Sequence, residues 1–328
     1  MSGQVMVFVP APELTITIEQ AGDEPDIHLH AGGQGIWQAR MMATLGVPVV
    51  LCTAFGGESG EVLKSLTAAE GVLVRSVAAE ASNGAYIHDR RSGDRVEVAQ
   101  APGAALTRHD FDELYGLALA EGLRSTVTLL SGTRNPRVIE PDSYRRLAGD
   151  LRRSDCAVIA DLSGEYLSAV LESGLSFLKV SHEELVNDGW ARDDSVEALT
   201  EAIHALNAAG AEALVVSRAE KPALALIEGD LYEVILPELE PADHHGAGDS
   251  MTAGVTATLA QGGDLRTAIR IGAAAGAVNV TRHGLGTGQA DVIAALMDKV
   301  ELRVLSLKDK PSRTVTPDEL ADEARQDT

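Results

Sequence analysis

The apolar positions of this chain fall into two alternating periods. Short continuous apolar runs at residues 5–9, 47–53, 126–131, 157–161, 176–180 and 213–217 read as strands covered on both faces. Between them lie segments of helical period: 33–45, closed by Gly46, then 60–70, 110–121, 142–153, a short one near 165–173, and 196–209. From residue 110 onward helix and strand alternate regularly, which predicts a parallel sheet with helices on both faces. Two stretches break that rhythm. Residues 14–19 and 27–30 alternate like half-exposed strands, and residues 85–89 and 95–99 pair as a hairpin around Arg91-Ser92-Gly93-Asp94. These early strands, within about 13–30 and 82–100, would form a small sheet projecting from the main body as a lid. A further strand at 72–77, a hairpin of 223–227 and 231–235 across Gly229-Asp230, and two small-residue helices at 248–260 and 265–281 complete the domain. The reading is one α/β domain over residues 1–307, followed by a charged, mobile tail over 308–328 that holds Pro311 and Pro317.

Length and composition narrow the function. A chain of 328 residues buries a sizeable core. Aromatic residues make up only 3%, so core and pockets must be built from Ala, Val, Leu and Gly. The formal net charge of −22 argues against nucleic acid or an anionic membrane as a partner. It also means that an anionic substrate needs local donors working against the overall field. Cys52 and Cys156 fall in predicted buried-strand regions, as small core residues of a cytoplasmic protein. No leader sequence or membrane-length apolar run is visible.

Two glycine clusters carry the candidate chemistry. Gly246-Ala247-Gly248-Asp249-Ser250-Met251 stands at the head of a small-residue helix. Backbone N–H groups and the positive end of the helix dipole would make an anion site there, with the Asp249 carboxylate inside it. A proton acceptor beside an anion hole is what transfer of a phosphoryl group to a hydroxyl requires. The same run also reads as a plain loop-to-helix turn with Asp249 as a first-turn carboxylate. The second cluster, Ala31-Gly32-Gly33-Gln34-Gly35-Ile36, also precedes a helix. Its spacing is not that of a dinucleotide fingerprint. It serves either close backbone packing or a wall that lets a small polar ligand reach the backbone. Five histidines, His28, His30, His88, His244 and His245, do not form a zinc signature.

Taken together in this order, these motifs resemble the ribokinase-like sugar kinases, the PfkB family, over roughly residues 5 to 300, and most nearly the 1-phosphofructokinase and tagatose-6-phosphate kinase branch. Ala39-Arg40, Asp161-Leu162-Ser163-Gly164-Glu165 and Val280-Thr281-Arg282-His283-Gly284 also fit. The resemblance implies a three-layer α/β fold with a mostly parallel central sheet and a small β lid. It implies that Asp249 is the general base, that Gly246, Ala247 and Gly248 form the anion hole, and that ATP and Mg²⁺ take part. It places the acceptor, a sugar or sugar phosphate, against Glu13, Gly32, Gly33, Gln34 and Trp37; Arg134, in the loop at the C-terminal end of the strand at 126–131, joins them as a candidate by its position. It places the nucleotide against Ser181, Glu184, Ser217, Arg218, Gly276 and Asn279, with Glu184 holding Mg²⁺ through water.

Several positions depart from the family pattern. Asp243 matches the first Asp of the longer signature, but His244 stands where Thr is usual. The Asn-x-x-Glu motif reads Ser181-His182-Glu183-Glu184, and the glycine turn after the next strand reads Ser217-Arg218-Ala219-Glu220-Lys221-Pro222. The family's Asn-Pro-x-x-Asp appears as Val9-Pro10-Ala11-Pro12-Glu13; its Lys after the paired glycines is Gln34, and its Asn three residues on is Trp37. Trp37 either stacks on a sugar ring or fills the helix core. The lid's Thr-Arg-x-Asn-x-Lys reads Ser82-Asn83-Gly84-Ala85-Tyr86-Ile87. A phosphate-binding Arg and two Lys positions are therefore neutral here, with Arg90, Arg91, Arg134 and Arg137 as candidate substitutes. Two expectations remain: a sugar kinase, or a protein of this fold that binds a ligand with little or no turnover. Exposed lid edges would allow a homodimer.

Overall fold

A computed structural model describes residues 3–237, 246–280 and 288–305. The expected tail over 308–328, the residues Asp243, His244 and His245, and the segment Thr281-Arg282-His283-Gly284 lie outside the described residues. In chain order the elements are β1 (Val5–Val9), β2 (Glu13–Ala21), β3 (Glu24–Gly32), α1 (Gln34–Thr44), β4 (Val49–Phe55), α2 (Gly57–Ala68), β5 (Leu73–Ala78), β6 (Gly84–Asp89) and β7 (Val96–Ala101). There follow α3 (Arg108–Gly122), β8 (Val127–Ser131), α4 (Pro141–Arg152), β9 (Ala157–Asp161), α5 (Gly164–Leu171), β10 (Phe177–Ser181), α6 (His182–Asn187), α7 (Val196–Ala209) and β11 (Leu214–Arg218). The chain continues with β12 (Lys221–Ile227), β13 (Asp230–Ile235), α8 (Ala247–Ala260), α9 (Leu265–Val280), α10 (Ala290–Met297) and β14 (Glu301–Val304).

The main sheet has ten strands in the order β14-β13-β12-β11-β10-β9-β8-β1-β4-β5. From β11 to β5 neighbours run parallel, while β12, β13 and β14 add an antiparallel edge. Strands buried on both faces need apolar residues at every position, and β1, Val-Met-Val-Phe-Val, supplies them. Val5, Val7 and Val9 enter one core with residues of α1, α8 and α9; Met6 and Phe8 enter the other with residues of α3, α4 and α7. That is the three-layer arrangement anticipated from the alternation. The interrupting strands do form a separate four-stranded sheet, β3-β2-β6-β7.

Three elements were not anticipated. The six-residue α6 is one capped turn, too short to leave a helical period. The four-residue β14 is mostly exposed and exists by pairing with β13. Helix α10 buries only Ile293. Cys156 lies one residue before β9 and is buried, like Cys52 within β4.

The strand order decides where a ligand can bind. From β1 the chain moves to β4 and β5 on one side, then crosses to β8, β9, β10 and β11 on the other. At such a reversal the loops leaving the two strands part, and a crevice opens beyond the strands' C-terminal ends. Here that crevice lies beyond β1 and β8.

Candidate active site

A cavity of about 240 Å³ fills this crevice. Its wall comes from the chain leaving four neighbouring strands: Val9, Ala11 and Glu13 after β1; Gly132, Thr133 and Arg134 after β8; Asp161, Leu162 and Ser163 at the end of β9; and Glu184 after β10. Gly33, Gln34 and Trp37 at the start of α1, and Tyr166 on α5, close it.

Behind this wall Lys179, 7% exposed on β10, is surrounded by carboxylates. Its Nζ lies 3.4 Å from Asp161 Oδ1. Burial alone would make Lys179 give up its proton, but the charges of Asp161, Glu184 and Asp249 outweigh that, and its pKa is raised. Asp161, 2% exposed, spends its other oxygen, Oδ2, on Gln38 Nε2 at 2.9 Å and Thr252 Oγ1 at 2.7 Å. Burial raises the Asp161 pKa, and Lys179 is the main force opposing the rise.

Helix α8 points its N-terminus at this cluster. Gly246 caps it with φ 77°, a left-handed conformation that glycine adopts without strain. The first N–H groups of a helix have no partner within it. Gly248 lies against Lys179: a Cβ there would stand 2.6 Å from Nζ. Asp249, in the first turn, stays partly exposed. Its surroundings nevertheless push its pKa up to about 7, first by burial and then through the charge of Asp161, with Lys179 and the facing Gln34 amide opposing. Asp249 thus stands at a helix N-terminus, beside a buried ammonium, with a proton affinity near neutrality.

Gln34 connects the two sides. Its Oε1 accepts the Gly132 N–H at 3.1 Å, and its amide faces both Asp161 and Asp249. Glu13, 8% exposed, receives Arg134 Nε on Oε2 at 3.2 Å. The Arg134 guanidinium lies over the Tyr86 ring, 4.7 Å from its centre, and Arg95 lies against the same ring at 5.2 Å. Burial raises the Glu13 pKa, opposed by Arg134. Trp37 stays partly exposed and lines the cavity, so it is not a core residue of its helix. Gly33, with φ 101°, caps α1 and also lines it. Gly32 does not; it ends β3, and a Cβ on it would meet Thr15 Oγ1 at 2.1 Å.

On the far side, Ser181 and Glu184 form a capping box that starts α6. Glu184 Oε2 accepts from Ser181 N at 2.7 Å and from Ser181 Oγ at 2.8 Å. Ser217 sits beside Ser181 in register, and its carbonyl lies 3.2 Å from His182 Nδ1. Arg218, 7% exposed, folds across its own hairpin to donate to the Pro222 carbonyl at 3.2 Å, away from the cavity wall. Ala219 takes φ 50° in that turn, a conformation more usual for glycine. Gly276 packs where α9 crosses α8: a Cβ there would meet the Ala247 carbonyl at 2.8 Å. Asn279 is buried one turn farther along α9.

The family model for pfkB family carbohydrate kinases matches residues 3–291. The chain belongs to the pfkB family. As a member it is an enzyme of the carbohydrate kinase class. It is 32% identical over 259 residues to the ATP-dependent 6-phosphofructokinase isozyme 2 of Escherichia coli (strain K12), covering 77% of this chain and 82% of the relative. It is 27% identical over 261 residues to the 1-phosphofructokinase of Bacillus subtilis (strain 168), covering 79% and 84%. The crystal structure of Phosphofructokinase-2 from Escherichia coli in complex with potassium superimposes with a TM-score of 0.78 at 26% identity, covering 90% of this chain and 98% of that one. These identities do not favour the 1-phosphofructokinase and tagatose-6-phosphate kinase branch over the isozyme 2 enzymes. The expected branch placement is therefore replaced by family membership alone.

Within this pfkB enzyme, sequence reading missed Lys179 and left Asp161 as a motif residue without a role. A signal for Lys179 was present: a lone charge inside an otherwise apolar buried strand, Phe177-Leu178-Lys179-Val180, must find a partner. Gln38 and Thr252 carried no comparable signal, because each is one polar residue on a mixed helix.

Proposed function

We propose that this pfkB kinase transfers the γ-phosphoryl group of ATP to a hydroxyl of a sugar or sugar phosphate, with Asp249 as general base. The observation that carries the assignment is Asp249 itself: a first-turn carboxylate at the N-terminus of α8, its pKa pushed up to about 7 by burial and the Asp161 charge, facing the amide of the cavity-lining Gln34. A base with that affinity is matched to proton transfer near neutral pH. The acceptor hydroxyl gives its proton to Asp249 as its oxygen bonds to the γ-phosphorus. The bond from that phosphorus to the bridging oxygen breaks, and ADP leaves with the electron pair. The first-turn N–H groups of Ala247, Gly248 and Asp249, which find no acceptor within the helix, would face the charge on the moving group, with Gly246 setting the helix start.

The donor set suits a divalent cation that arrives on phosphates. Among the described residues, both hydrogen bonds to the Glu184 carboxylate fall on Oε2, which leaves Oε1 for a metal-bound water. Among the described residues no group of three or more His, Cys, Asp or Glu forms a protein cage, and Mg²⁺ carried by phosphates needs only one or two carboxylates. Bound there, Mg²⁺ would neutralise phosphate charge. Ser217 and Arg218 at the β11–β12 turn, and Gly276 and Asn279 on α9, flank the nucleotide side of this arrangement.

Asp161 supports a second choice of base, since it lines the cavity directly. Its oxygens already receive Gln38, Thr252 and Lys179, which leaves little room for an incoming hydroxyl. Release of ADP from ATP and Mg²⁺ across a sugar panel tests the assignment. Asp249→Asn should lower kcat by about 10³-fold or more with folding intact. If Asp161→Asn abolishes turnover while Asp249→Asn retains it, the base is Asp161. Ligand binding without ADP release in the parent would instead support a binding protein of this fold.

The domain is taken as residues 1–307, and the protein as cytoplasmic. Among the described residues no helix is long and apolar enough to cross a membrane. The edge strands of the lid, β3 and β7, expose Ile27, Leu29, Val96 and Val98, which supports pairing of two copies through their lids.

A further inference from the structure

We infer that the acceptor of this kinase is a neutral polyol, a sugar or sugar alcohol without phosphate; the inference rests on the kinase reading above and narrows its substrate class. The cavity wall carries three carboxylates, Glu13, Asp161 and Glu184, against one guanidinium, Arg134. That guanidinium is engaged: its Nε is on Glu13 at 3.2 Å and its plane lies over Tyr86. Lys179, behind the wall, is held by Asp161. Among the described residues, the wall therefore offers a phosphate no cation that is not already opposed by a carboxylate. A phosphomonoester carries close to two negative charges at neutral pH and is usually met by paired cations or a bidentate Arg. A phosphate on the remaining Arg134 N–H groups would lie beside the Glu13 carboxylate, 8% exposed, and would be repelled by it.

The remaining wall suits hydroxyl groups. Gln34 presents a neutral amide, fixed by the Gly132 N–H at 3.1 Å. Glu13 accepts and Arg134 donates, side by side, which matches two neighbouring hydroxyls of one ring or chain. Trp37 offers a flat apolar face; so does Tyr166, whose hydroxyl is already donated to the Pro136 and Ile139 carbonyls at 2.7 and 2.9 Å. A cavity of about 240 Å³ has room for little more than a single monosaccharide.

The test uses matched pairs on the full-length protein with ATP and Mg²⁺: free pentoses, hexoses and hexitols, each against its monophosphate. The expected result is kcat/KM at least about tenfold higher for a free sugar than for its monophosphate. A second measurement uses Glu13→Gln, which removes the charge opposing Arg134 and should narrow that preference by raising affinity for the monophosphate, read by calorimetry. A monophosphate preferred by the parent about tenfold overturns the inference and leaves the kinase assignment standing. No ADP release with either class, and no difference between the parent and Asp249→Asn, withdraws the kinase assignment and the inference with it.

Discussion

Asp249 and Asp161 share one cluster, yet their circumstances are opposite. Asp161 is saturated with donors and held by Lys179, whereas Asp249 sits at a helix N-terminus with its pKa pushed up to about 7 by burial and the Asp161 charge. The sign of the resulting pH dependence follows. Below about pH 7 Asp249 holds its proton and cannot accept another, so kcat/KM should rise as pH increases through about 7 and then level off. A flat profile between pH 5 and 9, roughly, would remove Asp249 as the titrating base. Stability moves the other way. The unfolded carboxyl ionises near 3.8 while the folded one keeps its proton to about 7, so folding loses free energy as pH rises between those values. Asp249→Asn removes that loss, and its melting temperature should exceed the parent's at about pH 8 by more than at about pH 3, values roughly one unit outside this window. Gly248 is the other sensitive position. A methyl group there would meet Lys179 Nζ at 2.6 Å, and that ammonium is held among carboxylates. Gly248→Ala should lower stability by about 1–3 kcal/mol and kcat by at least about tenfold, in denaturant titration and steady-state assays.

At the scale of elements, the position of α8 decides the site, because both Asp249 and Thr252 ride on it. The helix is held by close packing on α9 rather than by large side chains. A Cβ on Gly254 would stand 2.7 Å from the Gly272 Cα, and one on Gly272 would stand 2.7 Å from the Met251 carbonyl. Backbones this close leave no space for a methyl group, so Gly272→Ala must push the helices apart. It should cost about 1–3 kcal/mol of stability and lower kcat more than it raises KM, since the N-terminus of α8 shifts relative to Lys179. Equal kcat in parent and variant would show that α8 tolerates the displacement. These glycines also show what is legible at this scale. Two small-residue helices are evident from composition, and α7 matches its expected bounds. Gly276, expected at the nucleotide, instead abuts the Ala247 carbonyl, a crossing that helical period does not encode.

For the whole molecule, charge and the lid dominate. A net charge of −22 repels anions at a distance, so a phosphate-bearing ligand must be recovered by local donors and cations. The lid sheet has two open edges, with Ile27 59% and Leu29 45% exposed on β3 and Val96 52% and Val98 57% exposed on β7. Exposed apolar edge strands favour pairing with another strand. The full chain should therefore run as a dimer in light scattering, and Leu29→Lys with Val98→Lys should shift it toward the monomer. A monomeric parent at micromolar concentration would exclude lid pairing.

The order of elements was legible because buried parallel strands must be apolar throughout and covering helices must be apolar on one side. The interrupted rhythm at residues 13–30 and 82–100 gave the lid for the same reason. The two glycine motifs gave the helix N-termini, since few other residues adopt the required backbone or admit the required approach, as Gly33 and Gly246 show. Tertiary structure alone decided which side chains meet. Strand order brought the ends of β1, β8, β9 and β10 together, and with them Glu13, Arg134, Asp161 and Lys179, residues far apart in the chain. Lys179 holds its charge, Arg134 is neutralised by Glu13, and Asp249 titrates near 7 because of neighbours in space, and through-space charge and desolvation leave no trace in local sequence.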